Sequence, residues 1–147
     1  MKLVKPNSPI LHKASLPVVW QPGMWDDFLG NMFRVMVKSD GVGLSAVQVG
    51  HLYRIFVMVD LVTGKPVYVV NPRVLNHSRK QQVVQEGCLS FPGDLHLVSR
   101  PTRVTATYTC GLTGLRKKRT LSGMMARVFL HEMDHLMGIT FDEPSAY

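Results

Sequence analysis

Cysteine is scarce in this chain: Cys88 and Cys110 are the only two in 147 residues. Two cysteines make no disulfide framework, so a reducing, cytosolic setting is the expectation, one that keeps a thiolate available as a ligand. No apolar run reaches bilayer-spanning length, and the N-terminus lacks the apolar core of a secretory signal, so no membrane partner is expected. Acidic residues are also few, 10 against 17 Lys and Arg, for a net charge of +7. That balance suits polyanionic surroundings such as nucleic acid or a ribosome. There is no Gly-Lys-Ser/Thr phosphate loop, and the one Gly-x-Gly lacks the third glycine of a dinucleotide fingerprint. With no internal repeat, low-complexity segment or linker, residues 1–147 read as one domain, long enough to bury a hydrophobic core.

What is present centres on His131-Glu132-Met133-Asp134-His135. It lies in Met124–Met137, after Ser122 and Gly123 and before Gly138, a run with a good N-cap and a good helix stop. On a helix, residues four apart stack on one face, roughly 5–6 Å between Cβ atoms. His131 and His135 can therefore offer two imidazole nitrogens to one metal, and Glu132 can take a proton from water there. This is the H-E-x-x-H pattern of metal-dependent hydrolases. The competing reading, two core histidines and a chance Glu, leaves a carboxylate without a partner beside Val128, Phe129, Leu130 and Leu136, which is expensive.

Elsewhere the pattern is of short strands and one further helix. Met1–Trp20, with Pro6, Pro9 and Pro17, is an extended arm with one helical turn at Pro9–Ala14. Trp25–Lys38 is an amphipathic helix with Phe28, Met32, Val35 and Met36 on one face. Asp26 and Asp27 open it, and Arg34 and Lys38 close it, as the helix dipole favours. Gly41–Gly50 carries three glycines and leads into an apolar strand in which the Gln48 amide needs a partner. Strands are expected at Arg54–Asp60, covered on both faces, at Val67–Val70, ended by Asn71-Pro72, and at Gln81–Gln85. Arg103–Thr109 alternates, burying Val104, Ala106 and Tyr108, and Leu115–Leu121 returns after a hairpin loop at Cys110–Gly114. The basic run Arg116–Arg119 reads as a solvated hairpin arm or as a nucleic-acid contact. The fold class is α+β: short, mostly antiparallel sheets around a central metal-binding helix, with an N-terminal amphipathic helix.

Two histidines leave a tetrahedral ion short of a protein ligand. Downstream there are only Asp142 and Glu143, and no third His at metzincin spacing. The better candidate is Cys88, in Glu86-Gly87-Cys88-Leu89-Ser90, next to a glycine that lets backbone and ligand come close. The alternative for Cys88 is a small buried hydrophobe.

At this point the chain resembles the peptide deformylases. Gly41-Val42-Gly43-Leu44-Ser45-Ala46-Val47-Gln48, Glu86-Gly87-Cys88-Leu89-Ser90 and His131-Glu132-Met133-Asp134-His135-Leu136 resemble that family's three motifs, in order and at similar spacing, and Pro9-Ile10-Leu11 is similar too. The resemblance implies that Cys88, His131 and His135 bind one divalent metal, natively Fe²⁺, with Zn²⁺, Ni²⁺ or Co²⁺ as substitutes. It implies hydrolysis of the formyl amide on the initiator methionine of new polypeptides, releasing formate. Glu132 would be the general base, with Gln48 and the Leu89 backbone N–H stabilising the oxyanion. The methionine pocket would include Val42, Met124, Val128 and the His131 ring, with Glu86 and Gly87 at its rim. The peptide would pair with Val42–Leu44 as an added strand, where a residue bulkier than Gly43 would crowd its backbone. Arg100 is expected to neutralise Glu86 or Asp134.

Two departures stand out. Ser45 occupies a position where Ala is usual, and its hydroxyl needs a partner. The chain also ends soon after Gly138, whereas longer bacterial members continue into a helix that helps dock on the ribosome. A short form of this kind fits a bacterium, or a phage acting in its host's cytoplasm, and is expected to be a monomer acting on nascent N-formylmethionyl peptides, with ribosome contact doubtful by that route. The rival readings are a short zinc endopeptidase and a non-catalytic basic module that binds RNA through Arg116–Arg119. A structural metal in the latter would have four protein ligands and no open position.

Overall fold

The helix expected around the histidines forms at Gly123–Leu136 (α2), with Ser122 at its N-cap in extended conformation. The Ser122 side chain makes no capping bond, so its contribution is conformational. Ten of the helix's 14 residues are buried, which makes α2 a central rod. The computed structural model describes residues 1–147, and in chain order its elements are a 3₁₀ turn Pro9–His12, α1 Asp26–Lys38, β1 Gly43–Ser45, a 3₁₀ turn Ala46–Val49, β2 Ile55–Val59, β3 Pro66–His77, β4 Gln81–Cys88, β5 Phe91–Pro101, β6 Arg103–Cys110, β7 Arg116–Ser122 and α2.

Five strands form one antiparallel sheet in the order β1-β2-β3-β6-β7, and β4 pairs with β5 as a separate two-stranded arm. The alternation in β2 explains how the sheet is covered. Phe56 and Met58 point to α2 and join Val69, Val104, Ala106 and Phe129 in the larger core. Ile55 and Val57 point the other way and pack with Leu29, Met32 and Met36 of α1. Each such side chain, fully buried, stabilises the fold by about 1.5–3 kcal/mol. The buried face of α1 centres on Leu29, Met32 and Met36, whereas Phe28 and Val35 lie at its margins, only half-buried.

Three expectations need correction. Val67–Val70 does not end at Asn71-Pro72; β3 runs on to His77 through a register shift between Val70 and Arg73. The irregularity absorbs the missing proline N–H, with Asn71 at φ 49°. The Asn71 side chain accepts from the Val18 N–H at 2.9 Å and donates to the Val18 carbonyl at 2.7 Å, holding the N-terminal arm there. Second, β4 runs past Gln85 to Cys88, and β5 was not expected at all. Phe91-Pro92-Gly93-Asp94 has turn composition, and β5 inverts the usual pattern: Leu95 and Leu97 face solvent while Arg100 is 1% exposed. Third, Gln48 stands on a 3₁₀ turn rather than a strand, because Ser45 and Gln48 form a capping box that starts the turn.

Candidate metal centre

Three elements meet at one point. α2 supplies His131 and His135 one turn apart, and the β4–β5 arm swings Cys88 to them from the last residue of β4. The Cys88 Sγ lies 3.4 Å from His135 Nε2, and the two Nε2 atoms are 3.2 Å apart. All three donor atoms fall within 4.8 Å of one another. Metal–nitrogen bonds of about 2.0–2.1 Å and a metal–sulfur bond of about 2.3 Å at tetrahedral angles require edges of about 3.3 and 3.6 Å. The donor set therefore fits a tetrahedral ion with one position left open.

Charge supports the same fit. The buried ions here are Glu86, Asp134 and Glu132 against Arg100 and Arg127. Glu86 and Asp134 are matched by the two arginines. Glu132 remains, together with a sulfur that gives up its proton on coordination, and a divalent cation balances that pair. Burial keeps His135 well below the ordinary imidazole range, which favours the neutral ring that a metal ligand requires. Its Nδ1 is buried without a partner, leaving Nε2 as the ring's one anchored atom. Burial lowers His131 as well, but the Cys88 and Glu86 contacts outweigh it and raise the ring to about 10. Glu86 faces the ring at Nδ1, so His131 Nε2 is the atom turned to His135 and Cys88, and a cation taken up there would displace a proton.

Behind the donors lies a buried ionic frame. His131 Nδ1 is 2.8 Å from Glu86 Oε1, the carboxylate–histidine support typical of metal ligands. Arg100 Nε donates to Glu86 Oε2 at 2.6 Å, and its Nη1 donates to Asp134 Oδ2 at 2.7 Å. Burial alone would raise Glu86, yet the His131 and Arg100 hydrogen bonds bring it down to about 2. Arg127, which the sequence reading did not single out, also donates to Glu86 at 2.6 Å, to the Val98 carbonyl at 2.9 Å and to the Gln82 carbonyl at 2.5 Å. Arg100 and Arg127 thus tie the β4–β5 arm to α2 and set where Cys88 sits. The one signal for Arg127 was its place four residues before His131, on the same helix face. Arg100→Leu leaves the buried Asp134 carboxylate without a cation and takes two donors from Glu86, and an expected loss of about 3–5 kcal/mol lowers the melting temperature by about 10 °C; an unchanged thermal transition would contradict the bridging role.

Glu132 is 3% exposed. Its Oε2 accepts from Ser45 Oγ at 2.6 Å, which gives that hydroxyl its partner. Burial raises the Glu132 pKa, offset in part by the His131 charge and the Ser45 bond. The Ser45 N–H donates to Gln48 Oε1 at 2.9 Å. That bond turns the Gln48 Nε2 toward Ser90 Oγ at 3.0 Å and Cys88 Sγ at 3.6 Å. Leu89 begins the two-residue turn between β4 and β5. Its side chain lies against Gly41, where an added Cβ would come within 2.5 Å of Leu89 Cδ1.

These groups open onto a cleft of about 660 Å³ lined by Val42, Gly43, Gln48, Glu86, Gly87, Cys88, Leu89, Met124, Val128, His131 and Glu132. Met124 and Val42 are exposed at its mouth, while Val128 is buried at its wall. Glu86 reaches the cleft, but its carboxylate is taken up by Arg100, Arg127 and His131, so it serves the frame rather than an open rim. The Leu44 side chain is turned into the core beside α1, leaving only its backbone at the β1 edge away from β2. Gly43 has a further reason beside the expected one: a Cβ there would meet Glu132 Oε1 at 2.7 Å and Val128 Cγ1 at 3.0 Å. Gly43→Ala is therefore expected to displace the Glu132 carboxylate and cut turnover at least about tenfold at an overpacking cost of about 1–3 kcal/mol, with bound metal unchanged; wild-type turnover would contradict this.

The profile of the polypeptide deformylase family matches residues 1–145. The chain is 41% identical over 148 residues to the chloroplastic peptide deformylase 1B of Oryza sativa subsp. japonica, covering 96% of this chain and 53% of that protein, so it spans about half of the rice protein's length. It superposes on the crystal structure of peptide deformylase from Thermotoga maritima with a TM-score of 0.89 at 37% identity, covering 97% of this chain and 96% of that one. It is similar in the same way to a probable peptide deformylase from synechococcus phage S-SSM7, with a TM-score of 0.90, 33% identity, and coverage of 95% and 96%.

Proposed function

Because this chain belongs to the peptide deformylase family, we propose that it hydrolyses the N-formyl amide of the methionine that begins a new polypeptide, releasing formate. The observation that carries this reading is the convergence of Cys88, His131 and His135 beside Glu132 and Gln48 on one wall of an apolar-lined cleft. A divalent ion held by the three donors, Fe²⁺ or in its place Zn²⁺, Ni²⁺ or Co²⁺, supplies a Lewis acid that makes water a nucleophile at neutral pH.

The remaining work falls to the chain's own side chains. Glu132 accepts the proton of the attacking water on Oε1, the oxygen that Ser45 leaves free. Its burial raises its basicity above that of an exposed carboxylate, which suits a base working near neutrality. As water adds to the formyl carbon, negative charge grows on the formyl oxygen. Gln48 Nε2–H and the Leu89 N–H stabilise that charge, each such donor contributing about 3–4 kcal/mol in comparable sites. The C–N bond then breaks, and Glu132 passes its proton to the departing amine nitrogen. The methionine side chain lies between Met124, Val42 and Val128, and the following residues pair with the open edge of β1. The small formyl group admits the carbonyl to a site that an acetyl methyl would overfill.

The test is formate release from formyl-Met-Ala-Ser by metal-loaded protein, with acetyl-Met-Ala-Ser as comparison. Turnover of the formyl peptide and none of the acetyl peptide is expected. Cleavage of an internal peptide bond instead would favour the zinc endopeptidase reading and overturn this one.

A further inference from the structure

The five-stranded sheet is covered unequally. α2 fills its inner face along β2, β3, β6 and β7. On the outer face α1 reaches only β1, β2 and the first half of β3, as far as Val70. Beyond Val70 no helix lies on β3, β6 and β7. Their registers put Arg73, Thr107 and Lys118 side by side, Thr109 beside Arg116, and Thr105 between Asn76 and Thr120. Arg103 continues the same face, and Arg73, Arg103, Arg116 and Lys118 are all exposed.

No Asp or Glu occurs in β3, β6 or β7. The chain's ion pairs use His12, Arg100, Arg119, Arg127 and His131, and none of these four outer-face cations. Arg119 points to the inner side, toward Asp60 at 3.6 Å. Arg116 instead lies along neutral acceptors, donating to Thr107 Oγ1 at 3.1 Å and to Thr109 Oγ1 at 3.3 Å. Arg79 and Lys80, in the turn after β3, adjoin Arg103 through the bond from Ser78 N to the Arg103 carbonyl at 3.0 Å.

We propose that this outer face of β3, β6 and β7 binds the sugar–phosphate backbone of duplex RNA. Arginine, lysine and threonine are the side chains that hold phosphate oxygens without reading sequence. The threonine row adds hydroxyls that both donate and accept, suited to the 2′-hydroxyls displayed across the shallow groove of an RNA helix. Strand spacing makes the face roughly 10 by 20 Å. It carries no aromatic side chain on which single-stranded bases could stack. Apart from Leu75, its exposed side chains are polar, so it lacks the apolar stripe that inserts into a membrane surface. No residue of β3, β6 or β7 lines the cleft, so a bound duplex leaves the cleft open.

The experiment is fluorescence anisotropy of the whole chain with a labelled blunt RNA duplex across a salt series. Arg116→Gln/Lys118→Gln is expected to weaken binding about tenfold and to reduce the salt slope by about two, with formate release and melting temperature unchanged. Lys2→Gln/Lys117→Gln removes the same charge elsewhere and is expected to weaken binding no more than about twofold. A duplex DNA of the same length is expected to bind more weakly than the RNA. Absence of RNA binding by the wild type, equal losses in the two double variants, or binding to phosphatidylserine vesicles in preference to RNA would each overturn the proposal.

Discussion

Glu132→Gln is expected to keep its metal and to release formate about a thousandfold more slowly. The substitution is close to isosteric, and Ser45 Oγ, now 2.6 Å from a carboxylate oxygen, can donate equally well to an amide oxygen. The three donor atoms belong to other residues, so the ion's site is untouched. What disappears is the carboxylate proposed to take a proton from water and hand it to the leaving nitrogen. The thermal transition should stay in place or rise, since a carboxylate that burial holds above its ordinary pKa is replaced by a neutral group. Steady-state kinetics, metal analysis and a melting curve on one preparation separate these effects. Turnover near the wild-type rate would remove Glu132 from the base role, whereas loss of metal would show that it holds the ion rather than the proton.

Cys88→Ala is expected to abolish turnover for a different reason: the ion leaves. His131 and His135 come from one helix and provide two donors, and the third arrives only because the β4–β5 arm is clamped to that helix by Arg100 and Arg127. Removing an outer partner of a metal ligand costs about 10–100-fold in affinity, and removing the ligand itself is expected to cost more. Cys110→Ala is the matched comparison. Cys110 ends β6, away from the cleft, and its loss should change neither metal content nor rate. A Cys88→Ala protein that keeps a full complement of metal would contradict the assigned donor set.

How much of this was legible in the residues depends on the range of the contact. The H-E-x-x-H helix and the alternation of Val104, Ala106 and Tyr108 are local patterns, readable because helix and strand periodicity place side chains without knowledge of the rest of the chain. The two-sided burial of β2 was legible for the same reason. What failed was set by partners far away. The strand Phe91–Pro101 looks like a turn followed by an outward-facing apolar strand, and its buried Arg100 makes sense only once Glu86 and Asp134 are beside it. Arg127 reads as an ordinary charged helix residue until β4 and β5 close over it. Gly43 reads as room for a peptide, and a second reason for it, Glu132 as the nearest obstacle to a side chain there, comes from the far end of the sequence. Ser45 is the converse case. Its hydroxyl plainly wanted a partner, and only the fold shows that the partner is the carboxylate assigned the proton transfer.

X-ray absorption at the edge of the bound metal examines the donor set of Cys88, His131 and His135 most directly. One sulfur scatterer at about 2.3 Å is expected alongside imidazole nitrogens in the wild-type protein, with its disappearance in Cys88→Ala. A shell of nitrogen and oxygen alone in the wild type would contradict that donor set.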